Sequence, residues 1–185
     1  MEDLVIAIDV SLSMKASDYT PNRMEAAKRA MLSLIAVKLE KNMEDRIGVV
    51  AFYGYSLPIV DLTRDKELLV SVVRQLRVLG EATAPGNGLK EALYMLRGRW
   101  PRTGRERVLI ITDGTFNEGI PLDVVAEYAA RRNVIVDFLT LGKLTNYDKT
   151  MISRTLKLTG GVHEHARTAS ELIMKAIKLG LRETP

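Results

Sequence analysis

Residues 4–13 read LVIAIDVSLS, and residues 108–115 read VLIITDGT. In both segments a continuous apolar run is followed by acidic and hydroxyl side chains. Uninterrupted apolar runs of this length are typical of parallel strands that are buried on both faces. The two segments therefore predict an α/β sheet with polar groups at the carboxyl ends of two strands.

Further apolar segments complete the predicted sheet, at residues 47–52, 56–60, 134–139 and 162–166. The third of these is interrupted by Asp137. The segment 56–60 contains Pro58, which cannot donate a hydrogen bond to a neighbouring strand. We therefore predict that this segment is an antiparallel strand at one margin of the sheet.

Apolar residues at helical spacing separate most of the strands, over residues 24–35, 69–76, 89–96, 122–130, 147–158 and 169–177. Thr20-Pro21 predicts the start of the first helix, which should end near Asn42. Thr168 and Glu171 predict a capping box at the start of the last helix. The prediction is a doubly wound, mostly parallel six-stranded sheet with one antiparallel edge strand and helices on both faces, a Rossmann-like α/β fold.

The composition is that of a globular protein, with 46% hydrophobic and 27% charged residues in 185 residues, so we expect a single domain over residues 1–185. The absence of cysteine excludes disulfides, thiolate metal sites and cysteine nucleophiles. The start of the sequence lacks the basic residues and the length of a secretory signal, and no apolar run could span a bilayer. We therefore expect a cytoplasmic location, and the single glutamine (Gln75) with many charged residues predicts a thermophilic source.

The formal net charge is +4, and the densest basic stretch runs from Arg97 to Arg107 around Trp100. Its arginines are Arg97, Arg99, Arg102, Arg105 and Arg107. No stacking platform of aromatic residues accompanies them, so we do not expect nucleic acid binding. We interpret the stretch as a solvated surface.

In open α/β sheets, ligands bind beyond the carboxyl ends of the strands, where the strand order reverses. If the two opening segments flank that point, Asp9 and Asp113 face each other across it. Ser11 and Ser13 follow the first strand, and the loop at residues 80–86 can bring Thr83 to the same place. Each element alone has a simpler interpretation, because hydroxyl groups often cap turns and helix starts.

The combination of these five residues resembles the von Willebrand factor A family. The metal ion-dependent adhesion site of that family is written as Asp-x-Ser-x-Ser, a threonine in a glycine-rich loop and an aspartate in a Thr-Asp-Gly turn. Asp9, Ser11 and Ser13 match the first element, Thr83 the second and Asp113 the third. The resemblance extends over essentially the whole chain, and it identifies the stand-alone microbial type of domain.

This resemblance implies Mg²⁺ as the resident ion, with Mn²⁺ or Ca²⁺ as alternatives. Ser11, Ser13 and Thr83 would bind the ion directly, while Asp9 and Asp113 would act through water or move into direct contact. The implied function is not enzymatic: a partner protein donates an Asp or Glu carboxylate to the ion. A further implication is an adaptor role with an AAA+ ATPase of the MoxR type.

Other interpretations stay open from the sequence. Leu12 stands where the family usually has glycine, and Ala84-Pro85 replaces a common Asp-containing pair. A magnesium-dependent phosphatase of the haloacid dehalogenase-like type would use Asp9 as its nucleophile, although it would need an acid where Ser11 stands. The fold could also be a scaffold without a metal. His163 and His165 could bind a second metal ion or be solvated residues of an edge strand.

Overall fold

The computed structural model describes residues 1–97 and 104–183. Its sheet has the strands β1 (Glu2–Asp9), β2 (Arg46–Phe52), β3 (Ser56–Thr63), β4 (Arg105–Thr112), β5 (Ile135–Thr140) and β6 (His163–His165). Its helices are α1 (Arg23–Lys41), α2 (Lys66–Gln75), α3 (Pro85–Arg97), α4 (Leu122–Arg131), α5 (Asn146–Thr159) and α6 (Ala169–Leu181). A short 3₁₀ turn covers Leu12–Lys15. In the ranges that the structure describes, every helix is too short or too polar to cross a bilayer.

The strand order is β3-β2-β1-β4-β5-β6. β3 pairs with β2 in the antiparallel direction, and all other pairings are parallel. From β1 the chain passes to β2 on one side, whereas from β4 it passes to β5 on the other side. The strand order therefore reverses between β1 and β4, and the predicted six-stranded sheet with its antiparallel margin is confirmed.

The helices form two layers around this sheet. On one face, α1, α2 and α6 cover Leu4, Ile6 and Ile8 of β1. On the other face, α3, α4 and α5 cover Val5 and Ala7. Burial on both faces explains why the strand reads as an uninterrupted apolar run.

The first helix begins later than the sequence predicts. Its N-cap is Asn22, whose side chain accepts a hydrogen bond from the backbone N–H of Glu25 at 2.8 Å, so Thr20 and Pro21 precede the helix. An asparagine side chain caps as well as a threonine does, and it therefore competes for this role. The C-cap is Asn42, as predicted.

The capping box predicted for the last helix is incomplete. Thr168 accepts a hydrogen bond from the backbone N–H of Glu171, but the Glu171 carboxylate accepts from the N–H of Arg167 instead of that of Thr168. A complete capping box occurs at the start of α5, between Thr145 and Asp148. It departs from the usual sequence pattern of a capping box, because its fourth residue is Asp and not Glu or Gln.

The interpretation of the basic stretch as a solvated surface is wrong for Arg107. Its side chain is 1% exposed and forms ion pairs with Glu2 at 2.9 Å and with Asp137 at 3.0 Å. Of its neighbours, Arg97 and Arg105 are exposed, whereas Arg99, Trp100 and Arg102 lie outside the described residues.

Asp137 interrupts the apolar run of β5 because it is the acid of a buried ion network. It is fully buried and accepts hydrogen bonds from Arg107, from Arg182 at 2.5 Å and from the backbone N–H of Val162 at 2.8 Å. Lys38 extends the network to Glu2 on β1. The amino edge of the sheet is thus joined to α1 and α6 by charges that the chain itself balances.

We predict that Asp137→Ala lowers the free energy of unfolding by about 3 kcal/mol, because it removes the buried acid that pairs with both Arg107 and Arg182. Urea unfolding followed by circular dichroism measures this loss. The control is Glu44→Ala, which removes the exposed pair with Arg64 and should cost about 1 kcal/mol or less. Equal losses in the two variants would contradict the role given to the buried network.

Candidate metal centre

The ends of β1 and β4 bring the first two elements of the predicted site together. Ile8 pairs with Ile111 in the parallel ladder, so Asp9 and Thr112 leave the sheet at the same height. The Thr112 hydroxyl donates a hydrogen bond to Oδ2 of Asp9 at 2.6 Å. Asp113 therefore follows directly beside Asp9, as expected from strands that flank the reversal of strand order.

Hydroxyl groups connect the two acids. The backbone N–H of Ser11 donates to Oδ1 of Asp9 at 2.9 Å, and the two serine hydroxyl oxygens lie 3.1 Å apart. The hydroxyl of Ser13 donates to Oδ1 of Asp113 at 2.9 Å. The structure thus joins four of the five predicted residues in one chain of hydrogen bonds.

The simpler interpretation of the serines as turn caps is not supported by these contacts. Ser11 stands at the N-cap of the 3₁₀ turn, but its side chain makes no capping hydrogen bond. Carbonyl oxygens close the turn instead, through bonds from Met14 to Ser11 and from Ala16 to Ser13. Both hydroxyl groups therefore face the acids.

Thr83 lies in the loop between α2 and α3, which is fastened to the loop after β1. The N–H of Leu12 donates to the carbonyl of Gly80, and that of Leu79 donates to the carbonyl of Val10, both at 2.9 Å. On its other side, the N–H of Thr83 donates to Oδ1 of Asn117 at 2.9 Å. These bonds fix Thr83 between the loops that carry the other four residues.

The backbone of Thr83 is fixed by a hydrogen bond, whereas its hydroxyl group is not bonded to the other predicted site residues in the described part of the chain. The residue is 3% exposed, and within residues 1–97 and 104–183 its hydroxyl makes no hydrogen bond to the other four predicted residues. It also does not cap α3, whose first N–H bonds are accepted by the carbonyl of Ala84. The structure therefore places Thr83 at this edge of the sheet without showing a contact that joins it to the serines.

The charges of the two acids are unevenly balanced. Asp9 is completely buried, and burial followed by the nearby charge of Asp113 raises its pKa to about 7, although hydrogen bonds from Ser11 and Thr112 partly oppose this rise. Asp113 forms an ion pair with Arg23 at 2.8 Å. Among the described residues, Asp9 has no ion pair. Of these two buried carboxyl groups, only that of Asp113 is thus paired with a cation.

Arg23 and its second partner, Asp18, were not predicted as site residues from the sequence. Nε and Nη2 of Arg23 donate to the two carboxylate oxygens of Asp18 at 2.8 and 2.7 Å. The signal in the sequence was an acid five residues before an arginine, but that segment was interpreted only as the start of a helix.

Asp148 was also missed, because it lies on a predicted helix far from the motif in sequence. It is buried and accepts the N–H bonds of Thr115 and Phe116, each at 2.9 Å, which fixes the turn after Asp113. Gly114 has φ +91°, and a Cβ atom there would lie 2.8 Å from Oδ2 of Asp148. Only glycine fits this turn without strain.

A cavity lies beside the loops that carry Thr83 and Asp113. Phe116, Asn117 and Glu118 line a cavity of about 280 Å³, together with Tyr147 of α5. Tyr55 is 71% exposed and makes an edge contact with the ring of Tyr53.

The histidines of β6 lie apart from the five residues. Nε2 of His163 and Nδ1 of His165 lie 2.6 and 2.9 Å from the hydroxyl oxygen of Thr140, so they are partly buried hydrogen-bonding groups and not solvated side chains. Burial lowers the pKa of both imidazoles. In the described part of the chain, no group of three or more His, Cys, Asp or Glu residues is arranged to hold a metal ion.

The donor chemistry around Asp9 and Asp113 therefore consists of oxygen atoms: two carboxylates and the hydroxyl groups of serine and threonine. Such a set contains too few acids for the usual carboxylate cage of Ca²⁺. It fits a hard divalent cation such as Mg²⁺, which keeps several waters and needs few charged ligands.

A family model described as von Willebrand factor type A domain matches residues 4–115. The 26S proteasome regulatory subunit rpn10 of Schizosaccharomyces pombe is 29% identical over 148 residues, which cover 79% of this chain and 60% of that protein. A protein of Borreliella burgdorferi is 27% identical over 182 residues, 96% of this chain and 52% of the relative. The chain thus spans between half and two thirds of the length of these relatives.

Solved structures share the fold. The VWA domain of SpRpn10 superposes with a TM-score of 0.81 at 23% identity and covers 95% of each chain. BatB from Bacteroides thetaiotaomicron gives a TM-score of 0.80 at 20% identity, over 97% of this chain and 98% of the other. A mussel byssus protein, proximal thread matrix protein 1 with a zinc-occupied MIDAS motif, gives 0.76 at 18% identity, over 96% of this chain and 45% of that chain.

We predict that Asp148→Asn lowers the free energy of unfolding by about 1–3 kcal/mol, because an amide nitrogen would face backbone N–H groups that now bind a carboxylate. The control is Asp123→Asn in the first turn of α4, whose contacts are exposed, so its loss should be about 1 kcal/mol or less. Urea unfolding compares the two. Coincident unfolding midpoints would show that Asp148 does not hold the turn after Asp113.

Proposed function

The chain belongs to the von Willebrand factor type A domain family, and from this premise we propose that it is a protein-binding module that grips its partner through a divalent cation. The proposal takes residues 1–185 as one cytoplasmic domain, and it assigns the cation to Asp9, Ser11, Ser13, Thr83 and Asp113. The observation that carries it is the charge imbalance at the carboxyl edge of the sheet. In the described part of the chain, only one of the two buried acids there, Asp113, is paired with a guanidinium group, and hydroxyl oxygens lie between the acids.

The chain's own residues define what each group contributes. Ser11 and Ser13 supply neutral oxygens, and their hydroxyl hydrogens can be donated to the acids, as Ser13 already donates to Asp113. Asp9 supplies negative charge, and both of its carboxyl oxygens accept hydrogen bonds. Thr83 supplies a further hydroxyl on a loop that is fixed by Asn117.

A bound Mg²⁺ or Mn²⁺ would supply a positive charge able to receive a carboxylate of the partner. Because most of the proposed direct ligands are neutral, an incoming Asp or Glu adds charge that the site lacks. Leu12 is 43% exposed directly beside the serines, and it provides an apolar contact for the residues that flank such an acid.

The alternative of a haloacid dehalogenase-like phosphatase gains no support. The proposed nucleophile, Asp9, is completely buried, and both of its carboxyl oxygens accept hydrogen bonds. An attacking carboxylate has to reach the phosphorus atom of its substrate with a free oxygen. A module without enzymatic activity accounts better for the position of Asp9.

We expect millimolar Mg²⁺ or Mn²⁺ to raise the melting temperature of the protein. A ligand at about 100 times its dissociation constant stabilises the folded state by about 2.7 kcal/mol. For a domain of this size, that corresponds to about 5–11 °C. Asp113→Ala and Thr83→Val should remove the increment, which differential scanning fluorimetry measures.

Two variants serve as matched controls for this experiment. Thr150→Val and Asp123→Ala alter an exposed threonine of α5 and an acid of α4, both away from the site, and should retain the increment. The proposal is wrong if the wild-type protein shows no shift, or if the site variants shift as much as the controls.

The AAA+ adaptor role belongs to the same proposal and rests on the resemblance to stand-alone microbial domains. We predict that the immobilised chain retains partner proteins from a lysate of its source organism in Mn²⁺ and releases them on chelation. Mass spectrometry identifies the retained proteins, and Asp113→Ala should retain none of the chelator-sensitive set.

The identity of the chelator-sensitive proteins decides the finer claim. An AAA+ ATPase of the MoxR type in that set supports the adaptor role, whereas its absence refutes that role and leaves cation-dependent binding intact. Retention that is insensitive to both the chelator and Asp113→Ala argues against a cation-mediated grip.

A further inference from the structure

Arg23 is the first residue of α1, and its guanidinium lies between two acids of different character. Nη1 donates to Oδ2 of Asp113, whose side chain is 1% exposed. The opposite edge donates through Nε and Nη2 to Asp18, whose side chain is 48% exposed. One guanidinium thus connects a buried acid of the candidate metal centre to an acid at the surface.

Packing holds the guanidinium in this place, in addition to the ion pairs. A Cβ atom on Gly142, where φ is +68°, would lie 3.0 Å from Cζ of Arg23. The N–H of Gly142 donates to the hydroxyl of Tyr19, which in turn donates to the carbonyl of Ala166. At its backbone, Arg23 donates to the carbonyl of Ala16 at 2.9 Å. The position is therefore built into the fold.

The two oxygens of Asp113 consequently have separate partners. Oδ1 accepts from Ser13, within the cluster of hydroxyl groups, whereas Oδ2 accepts from Arg23. In the described part of the chain, the guanidinium makes no hydrogen bond or ion pair with the serines or Asp9. It pairs with Oδ2 of Asp113 and leaves Oδ1, which faces the hydroxyl groups, without an ion pair.

We propose that Arg23 is a built-in counter-cation of the candidate metal centre, which keeps Asp113 paired and limits the affinity for a divalent cation, and that Asp18 moderates this effect. The inference rests on the proposed function, since it concerns the same cation. A fixed positive charge beside a doubly charged ion repels it, and burial at 16% side-chain exposure reduces screening by solvent and salt. The negative charge of Asp18 offsets part of that repulsion.

This arrangement predicts that substitutions at Arg23 and at Asp18 change the affinity for Mn²⁺ in opposite directions. Arg23→Gln removes the positive charge but keeps a side-chain donor, so Mn²⁺ should bind more tightly, by about fivefold or more. Asp18→Asn removes one of the two negative charges that offset the guanidinium, so Mn²⁺ should bind more weakly, by about two- to threefold. If this ion pair had only a structural role, both Arg23→Gln and Asp18→Asn would weaken the binding of Mn²⁺.

The experiment is isothermal titration calorimetry of the full chain with MnCl₂ alone. Arg29→Gln, an exposed residue of the same helix, and Asp123→Asn are the controls and should bind Mn²⁺ as the wild type does. Arg23→Lys retains the positive charge but lacks the paired N–H donors of a guanidinium group. Its affinity for Mn²⁺ should stay within about twofold of the wild type. Melting in chelator checks folding: Arg23→Gln should melt at a lower temperature than the wild type but gain a larger increment from Mn²⁺.

The outcomes separate this inference from the proposed function. Tight Mn²⁺ binding by the wild type together with weaker binding by both Arg23→Gln and Asp18→Asn overturns the counter-cation role and leaves the metal centre standing. No binding by the wild type or any variant overturns both. Should Arg23→Gln fail to fold, the inference can still be refuted, because tighter binding by Asp18→Asn or a change of more than about twofold in Arg23→Lys contradicts it.

Discussion

The carboxyl group of Asp113 lies close enough to Asp9 to make the ionisation of Asp9 more costly, at the edge of the sheet where the loops after β1 and β4 diverge. A buried carboxylate without a partner is costly by several kcal/mol. The chain could have avoided this cost with two apolar residues at the strand ends. Instead, hydroxyl groups, N–H donors and one arginine surround the acids. The functional interpretation follows from that arrangement.

The opposite edge of the same sheet shows how this chain balances buried acids when no outside ion is involved. There Asp137 is met by Arg107 and Arg182, and Glu2 by Lys38 and Arg107, in a network that also joins the first and last helices. At the carboxyl edge, by contrast, a single cation among the described residues pairs with one of the two acids. The difference argues that the carboxyl edge is arranged for a positive charge from outside the chain.

Much of this arrangement could be predicted from the sequence, because strand ends in a parallel sheet meet at one edge. Asp9 and Asp113 follow apolar runs directly, so their proximity depends only on which strands are neighbours. Arg23 and Asp148 could not be found in this way, since each reaches the site from a helix whose packing angle the sequence does not reveal. Arg107 was misinterpreted for a related reason: local charge density indicates a solvated surface, whereas burial depends on partners that are distant in sequence, here 105 residues away at Glu2.

The hydrogen-bond directions are compatible with a cation among the hydroxyl groups. A serine hydroxyl has one hydrogen and two lone pairs. Ser13 gives its hydrogen to Asp113, so it accepts the hydrogen of Ser11 through one lone pair and keeps the other for a further partner. Cation binding through the lone pairs would therefore preserve the bonds that fix the acids, and Asp9, whose two oxygens are already engaged by Ser11 and Thr112, can contribute its charge through water without losing those bonds. The contacts that hold the loops together thus leave hydroxyl oxygens that a hard cation could bind. The packing of this fold and its proposed function are therefore compatible at these residues.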